Sequence, residues 1–133
     1  MNVCGLHDEL DLAITLALEA GECLRNEFCR PGGPRGSGGH APIDTEVEME
    51  IRARLSAAFP GYGYLGEETG SATDVMSAST EDAGPPIWIV DPNDGTSAFQ
   101  EGYRGASVSI ALVSRHDRAP AGERRAGPVR HSG

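Results

Sequence analysis

The chain has 133 residues, enough for one domain whose fold hides roughly two-thirds of the surface its unfolded chain exposes. A formal net charge of −9 and a pI near 4.8 speak against a nucleic-acid surface, which needs clustered cations. No apolar run approaches the ~18 residues that span a bilayer, and Met1 to Leu10 carries two acids and no Arg or Lys, unlike a secretory leader; a cytoplasmic chain with neither membrane nor nucleic-acid partner is expected.

From Leu6 to Phe28, apolar residues at Leu6, Leu10, Ala13, Ile14, Ala17, Leu18, Leu24 and Phe28 have the spacing of one helical face. Asp8 and Glu9 suit the positive end of that helix, and Pro31-Gly32-Gly33 ends it. By composition, Pro31 to Gly39 reads as a flexible loop. A second helix is predicted from Asp44 or Thr45, with Thr45 and Glu48 spaced as a capping box and Val47, Ile51, Leu55 and Phe59 as the buried stripe. Pro60-Gly61 stops it.

A short apolar piece, Tyr62 to Leu65, leads into Gly66-Glu67-Glu68 and then a polar loop from Thr69 to Pro86. Ile87 to Val90 reads as a strand buried on both faces, with Trp88 in the core, and Ser107 to Val113 as another strand. Cys4, Cys23 and Cys29 are odd in number and lack a C-x-x-C pair, so neither a disulfide framework nor a zinc knuckle is expected. His7, His40, His116 and His131 are scattered, which favours solvated side chains over metal ligands. Residues 114 to 133 hold five Arg against Asp117 and Glu123, a net of +3, and read as a disordered tail after a domain spanning residues 1 to 113.

The strand Ile87 to Val90 runs into Asp91-Pro92-Asn93-Asp94-Gly95-Thr96, so two carboxylates three residues apart emerge at a strand end. Asp91, Asp94 and an intervening carbonyl can offer a hard cation several oxygens on a stiff turn. Taken alone, Pro-Asn-Asp-Gly is more often an ordinary β-turn. An EF-hand does not fit, because counting from Asp91 puts glycine at position five and Gly102 at twelve.

In order, Gly66-Glu67-Glu68, Trp88 through Thr96, Phe99 and Val108-Ser109-Ile110-Ala111-Leu112 resemble the signature blocks of the inositol monophosphatase family, and Asp44 with Glu48 resembles its D-x-x-x-E helix start. The resemblance covers residues 6 to 113. It implies an α+β fold, the amino-terminal half of a layered αβαβα sugar-phosphatase, with two helices packed on a mostly antiparallel sheet. It also implies a magnesium-dependent phosphomonoesterase, with manganese as an alternative ion and a small phosphorylated metabolite as substrate. Glu67, Asp91 and the Asn93 carbonyl would bind one metal, and Asp91 and Asp94 would share a second. Glu67 and Thr96 would be catalytic, orienting a water; Asn93, Asp94, Gly95 and Thr96 would meet the substrate; Asp44 would stand behind the metals. Glu68 is read as a surface partner and Arg104 as a surface arginine.

The sequence departs from the family in having no lysine and in placing Ala41 where a threonine is usual. The family also continues beyond the position of Val113 into a second αβ half, so a truncated or shifted reading frame near Ser114 is expected. The rival readings are a catalytically incomplete metal-binding fragment or interaction module, and a nucleotide 3′-phosphatase or fructose bisphosphatase of the same superfamily. Ser107 to Val113 would then be an exposed edge; family members often pair, making a homodimer an expectation on either reading.

Overall fold

The computed structural model describes residues 6–71, 84–103 and 105–114. In chain order the elements are α1 (His7–Phe28), α2 (Pro42–Ala58), β1 (Gly63–Gly66), β2 (Gly70–Ser71), β3 (Ile87–Asp94), α3 (Thr96–Gln100) and β4 (Ser107–Val113). The four strands form one sheet in the order β2-β1-β3-β4. β1 runs parallel to β3, whereas the β1–β2 and β3–β4 ladders are antiparallel. The sheet is therefore mixed, with two of its three ladders antiparallel as expected, and β4 is an edge strand among the described residues. Apart from Ser114, the expected tail lies outside the described residues, as do Cys4, Arg104, His116, His131 and residues 72–83 of the predicted polar loop.

α1 has the predicted length, and of its predicted face Leu24 is buried while Ala13 and Phe28 pack against the core, but most of the rest of that face is turned outward. Leu16, Ala20 and Leu24 enter the core together with Glu9 and Glu27. Leu10, Ile14 and Leu18, which the apolar spacing places inward, are 59%, 49% and 71% exposed. Apolar residues occupy two adjacent stripes of this helix, so spacing alone cannot choose between them. Partners decide: Glu9 accepts a hydrogen bond from the Tyr62 hydroxyl, and Glu27 accepts three from Arg35.

α2 begins at Pro42, two residues before the predicted start. Proline suits the first helical position, since the amide hydrogen it lacks would have no partner there. It also holds the preceding residue extended, and Ala41 lies at φ −118 and ψ 127. The capping box does not form, because Thr45 and Glu48 are already inside the helix. Val47, Ile51 and Leu55 make the buried stripe as predicted, with Ile43 added at its start, whereas Phe59 lies just past the helix and is half-buried.

β3 is longer than predicted and continues through the acidic motif to Asp94. Its Trp88 and Val90 are buried, with Trp88 against Phe59 and Tyr62, but Ile89 is 41% exposed. The expectation of burial on both faces therefore holds at Ile87 but not at Ile89: among the described residues, α1 and α2 pack on the side of Trp88 and Val90. The Pro31–Gly39 segment is not free either. Arg35 places two nitrogens on each carboxylate of Glu27 and Glu46, and the Gly39 amide donates to Gln100 Oε1 at 2.8 Å.

Candidate active site

β1 and β3 are parallel neighbours whose pairing ends with Gly66 opposite Val90, so Glu67 and Asp91 follow that ladder on adjacent strands, β3 running on to Asp94. The Glu67 amide donates to the Val90 carbonyl at 3.0 Å, which carries the parallel pairing one residue beyond β1. Crevices beyond the carboxyl ends of parallel strands are where open αβ folds commonly bind ligands.

The β-turn reading of the acidic motif does not hold. Asp91 pairs with Ser109 and Asp94 with Ser107, so three steps on β3 oppose two on β4. The extra residue makes a bulge, which turns side chains out of the regular alternation. Within it Pro92 and Asn93 are buried and Asp94 is exposed. The Asn93 amide donates to Asp91 Oδ1 at 3.2 Å, and Gly95, at φ +105, makes the left-handed turn into α3 that a residue with a Cβ would strain to adopt.

Behind this bulge stands the first turn of α2. Asp44, 1% exposed, accepts from Asn93 Nδ2 at 2.9 Å and from the Thr96 hydroxyl at 2.7 Å. The same hydroxyl lies 2.9 Å from the Asn93 carbonyl, so one hydrogen is offered to two acceptors. One helical turn further on, Glu48 is fully buried and accepts from the amides of Glu68 at 2.8 Å and Thr69 at 2.9 Å, and from the Thr69 hydroxyl. Arg52 completes this corner, donating to the Thr69 carbonyl at 2.9 Å and hydroxyl at 2.7 Å while its guanidinium lies 4.9 Å from the centre of the Tyr64 ring.

Asp44, Asn93 and Thr96 thus form one bonded unit with Asp91 attached, Glu67 sits one strand away, and Asp94 and Gly95 face outward. Thr96 is bonded to Asp44 and the Asn93 carbonyl, and no bond to Glu67 is formed among the described residues. Glu68, read from the sequence as a surface partner, is half-buried. Burial, then the charges of Asp44 and Glu48, raise its pKa above the ordinary carboxylate value, against an opposing effect of His40.

Glu48 as the anchor of the Glu67 turn was missed, because its sequence position imitates a capping box. A signal was available: Asp44 and Glu48 are four apart and lie between Ile43, Val47 and Ile51, so both share the buried stripe. No sequence pattern pointed to Arg35 or Gln100.

Among the described residues, no three His, Cys, Asp or Glu side chains are gathered closely enough to hold an ion. The residues that the resemblance implies as ligands, Glu67, Asp91, Asp94 and the Asn93 carbonyl, offer only oxygen, the donor type that hard divalent cations prefer.

The sequence matches the inositol monophosphatase family over residues 6–121, and the chain belongs to that family. It is 34% identical over 111 residues to inositol monophosphatase 2 of Solanum lycopersicum, covering 81% of this chain and 41% of the relative. It is 35% identical over 112 residues to the histidinol-phosphatase of Mycobacterium tuberculosis, covering 81% and 39%. Among solved structures, it resembles the IMPase of Thermotoga maritima with a TM-score of 0.65 and 26% identity, over 81% of this chain and 40% of that one. The chain therefore spans about two-fifths of the length of these relatives. No helix among the described residues is long and apolar enough to cross a membrane.

Proposed function

We propose that this chain carries the metal-binding portion of a magnesium-dependent phosphomonoesterase acting on a small phosphorylated metabolite. The observation that supports this best is that Glu67 and Asp91 directly follow the last pair of the parallel β1–β3 ladder, with Asn93 and Thr96 locked to the buried Asp44. Glu67, Asp91, Asp94 and the Asn93 carbonyl would hold the metal, with Mn2+ able to replace Mg2+. A bound divalent ion would lower the pKa of a coordinated water and neutralise charge on the leaving oxygen.

The chain's own residues would do the rest. Glu67, exposed at the mouth of the site, is the base that takes a proton from the attacking water. Thr96 orients that water through its hydroxyl oxygen, whose hydrogen is already directed to Asp44 or Asn93. Asn93, Asp94, Gly95 and Thr96 line the place of the phosphate.

Two named relatives act on different esters, one on inositol monophosphate and one on histidinol phosphate. The purified 133-residue chain should therefore be assayed for Mg2+-dependent phosphate release from both, with a nucleotide 3′-phosphate and fructose bisphosphate alongside and Asp94→Asn as control. Turnover abolished in the variant supports the reading and names the substrate. A folded chain that binds Mg2+ without turnover supports the second reading, a catalytically incomplete metal-binding fragment. A folded chain with neither binding nor turnover would reject both.

A further inference from the structure

We infer that Glu48 is a positioning residue that holds the Glu67 turn in place for metal ligation, an assignment that rests on the metal-site reading above. β1 has four residues and its partner β2 only two, so the hairpin ladder by itself does little to fix the turn between them. That turn is Glu67-Glu68-Thr69, and Glu48 receives two of its amides and its one hydroxyl. Glu48 is fully buried, so it cannot touch a substrate or a solvent-borne ion.

Gly66 makes the fit visible. A Cβ built on it would lie 1.9 Å from Glu48 Oε2, so the backbone before Glu67 rests directly on the carboxylate. Glycine is needed there for close approach and not for an unusual backbone angle. Asp44, one turn earlier on the same face of α2, holds Asn93 and Thr96 in the same manner. A single rigid helix thereby sets the spacing between the two halves of the ligand set. Residues that orient a ligand from behind commonly change metal affinity when altered, even though they never touch the ion.

The test is Mn2+ binding by the full 133-residue chain, read from loss of the free-ion electron paramagnetic resonance signal, with circular dichroism to establish folding. Wild type and Glu67→Gln come first: no binding by wild type, or equal binding by both, would overturn the metal-site reading itself. Given that Glu67 matters, Glu48→Asp keeps the charge but withdraws the carboxylate by one methylene. Positioning predicts a loss of about 10–100-fold in Mn2+ affinity for this variant. A residue contributing charge alone would lose nothing. If Glu48→Asp fails to fold, Thr69→Val removes one of the three bonds and is expected to weaken binding measurably. Wild-type affinity in a folded Glu48→Asp chain, or in Thr69→Val where that is the chain tested, would overturn the assignment.

Discussion

The Thr96 hydroxyl donates to Asp44 Oδ2 at 2.7 Å across 52 residues of chain, tying the start of α2 to the end of the acidic bulge. Asp44 also receives Asn93 Nδ2, and the Asn93 side-chain oxygen is buried without a partner among the described residues. Truncating Asp44 would therefore strand the Asn93 amide. Asp44→Ala is expected to cost about 1–3 kcal/mol, the usual penalty for a stranded buried donor. Asp44→Asn, which keeps one acceptor, should cost less. Urea denaturation of both variants checks the order; equal stability of Asp44→Ala and wild type would contradict the brace.

Arg35 bridges α1 and α2 through Glu27, whose side chain is 4% exposed, and through the exposed Glu46. Lysine has no planar fork to serve two carboxylates at once. Arg35→Lys should therefore lower stability measurably, chiefly through the bonds to the buried Glu27. The loss should depend on pH with a definite sign. Hydrogen bonding from Arg35 holds the Glu27 pKa below its ordinary 4.5, so the stabilisation is complete above that value and fades as pH falls through the lowered one. Denaturation at neutral and acid pH should find the gap between wild type and variant narrowing in acid.

Gly36 and Gly38 both have positive φ, at +95 and +69, but only Gly36 is crowded: its Cβ would sit 2.4 Å from the His40 carbonyl oxygen and 2.9 Å from Pro42. Gly38 has open space. Gly38→Ala should cost about 1–2 kcal/mol for the left-handed backbone alone. Gly36→Ala should add a further penalty of about 1–3 kcal/mol for overpacking against backbone that cannot move aside. Thermal unfolding of the pair isolates the crowding, and equal melting temperatures would count against the anchored loop.

Tyr62 donates to the buried carboxylate of Glu9, and this bond, followed by burial and the Glu9 charge, pushes its pKa up to about 12 from 10.0. Tyr62→Phe should cost about 1 kcal/mol near neutrality. Because the folded value is the higher one, the stabilisation is present below pH 10.0 and is lost as pH rises toward about 12. Stability curves for wild type and variant should therefore converge in alkali; a constant gap would show that the Tyr62 hydroxyl is not the source.

The order of the motifs carried the family, since Glu67-Glu68, Asp91 to Thr96 and Val108 to Leu112 stand in sequence with strands where apolar runs place them. Misreadings of the fold came where one pattern admits two structures. The apolar stripes of α1 were equally periodic, and Pro-Asn-Asp-Gly is as acceptable in a turn as in a bulged strand. In the site, Glu48 kept the same spacing to Thr45 whether it caps a helix end or holds a distant turn.

By itself, the sequence determined the helical and extended segments and the family, because these depend on local periodicity and on residue types in a fixed order. Only the tertiary structure decided which face of α1 is buried, where α2 begins its work, and that Asp44 and Glu48 each grip one half of the site. Those contacts join residues 20 to 52 positions apart. Spacing along a chain does not encode such pairings; they arise when the helix is laid on the sheet and each buried carboxylate must find its donors.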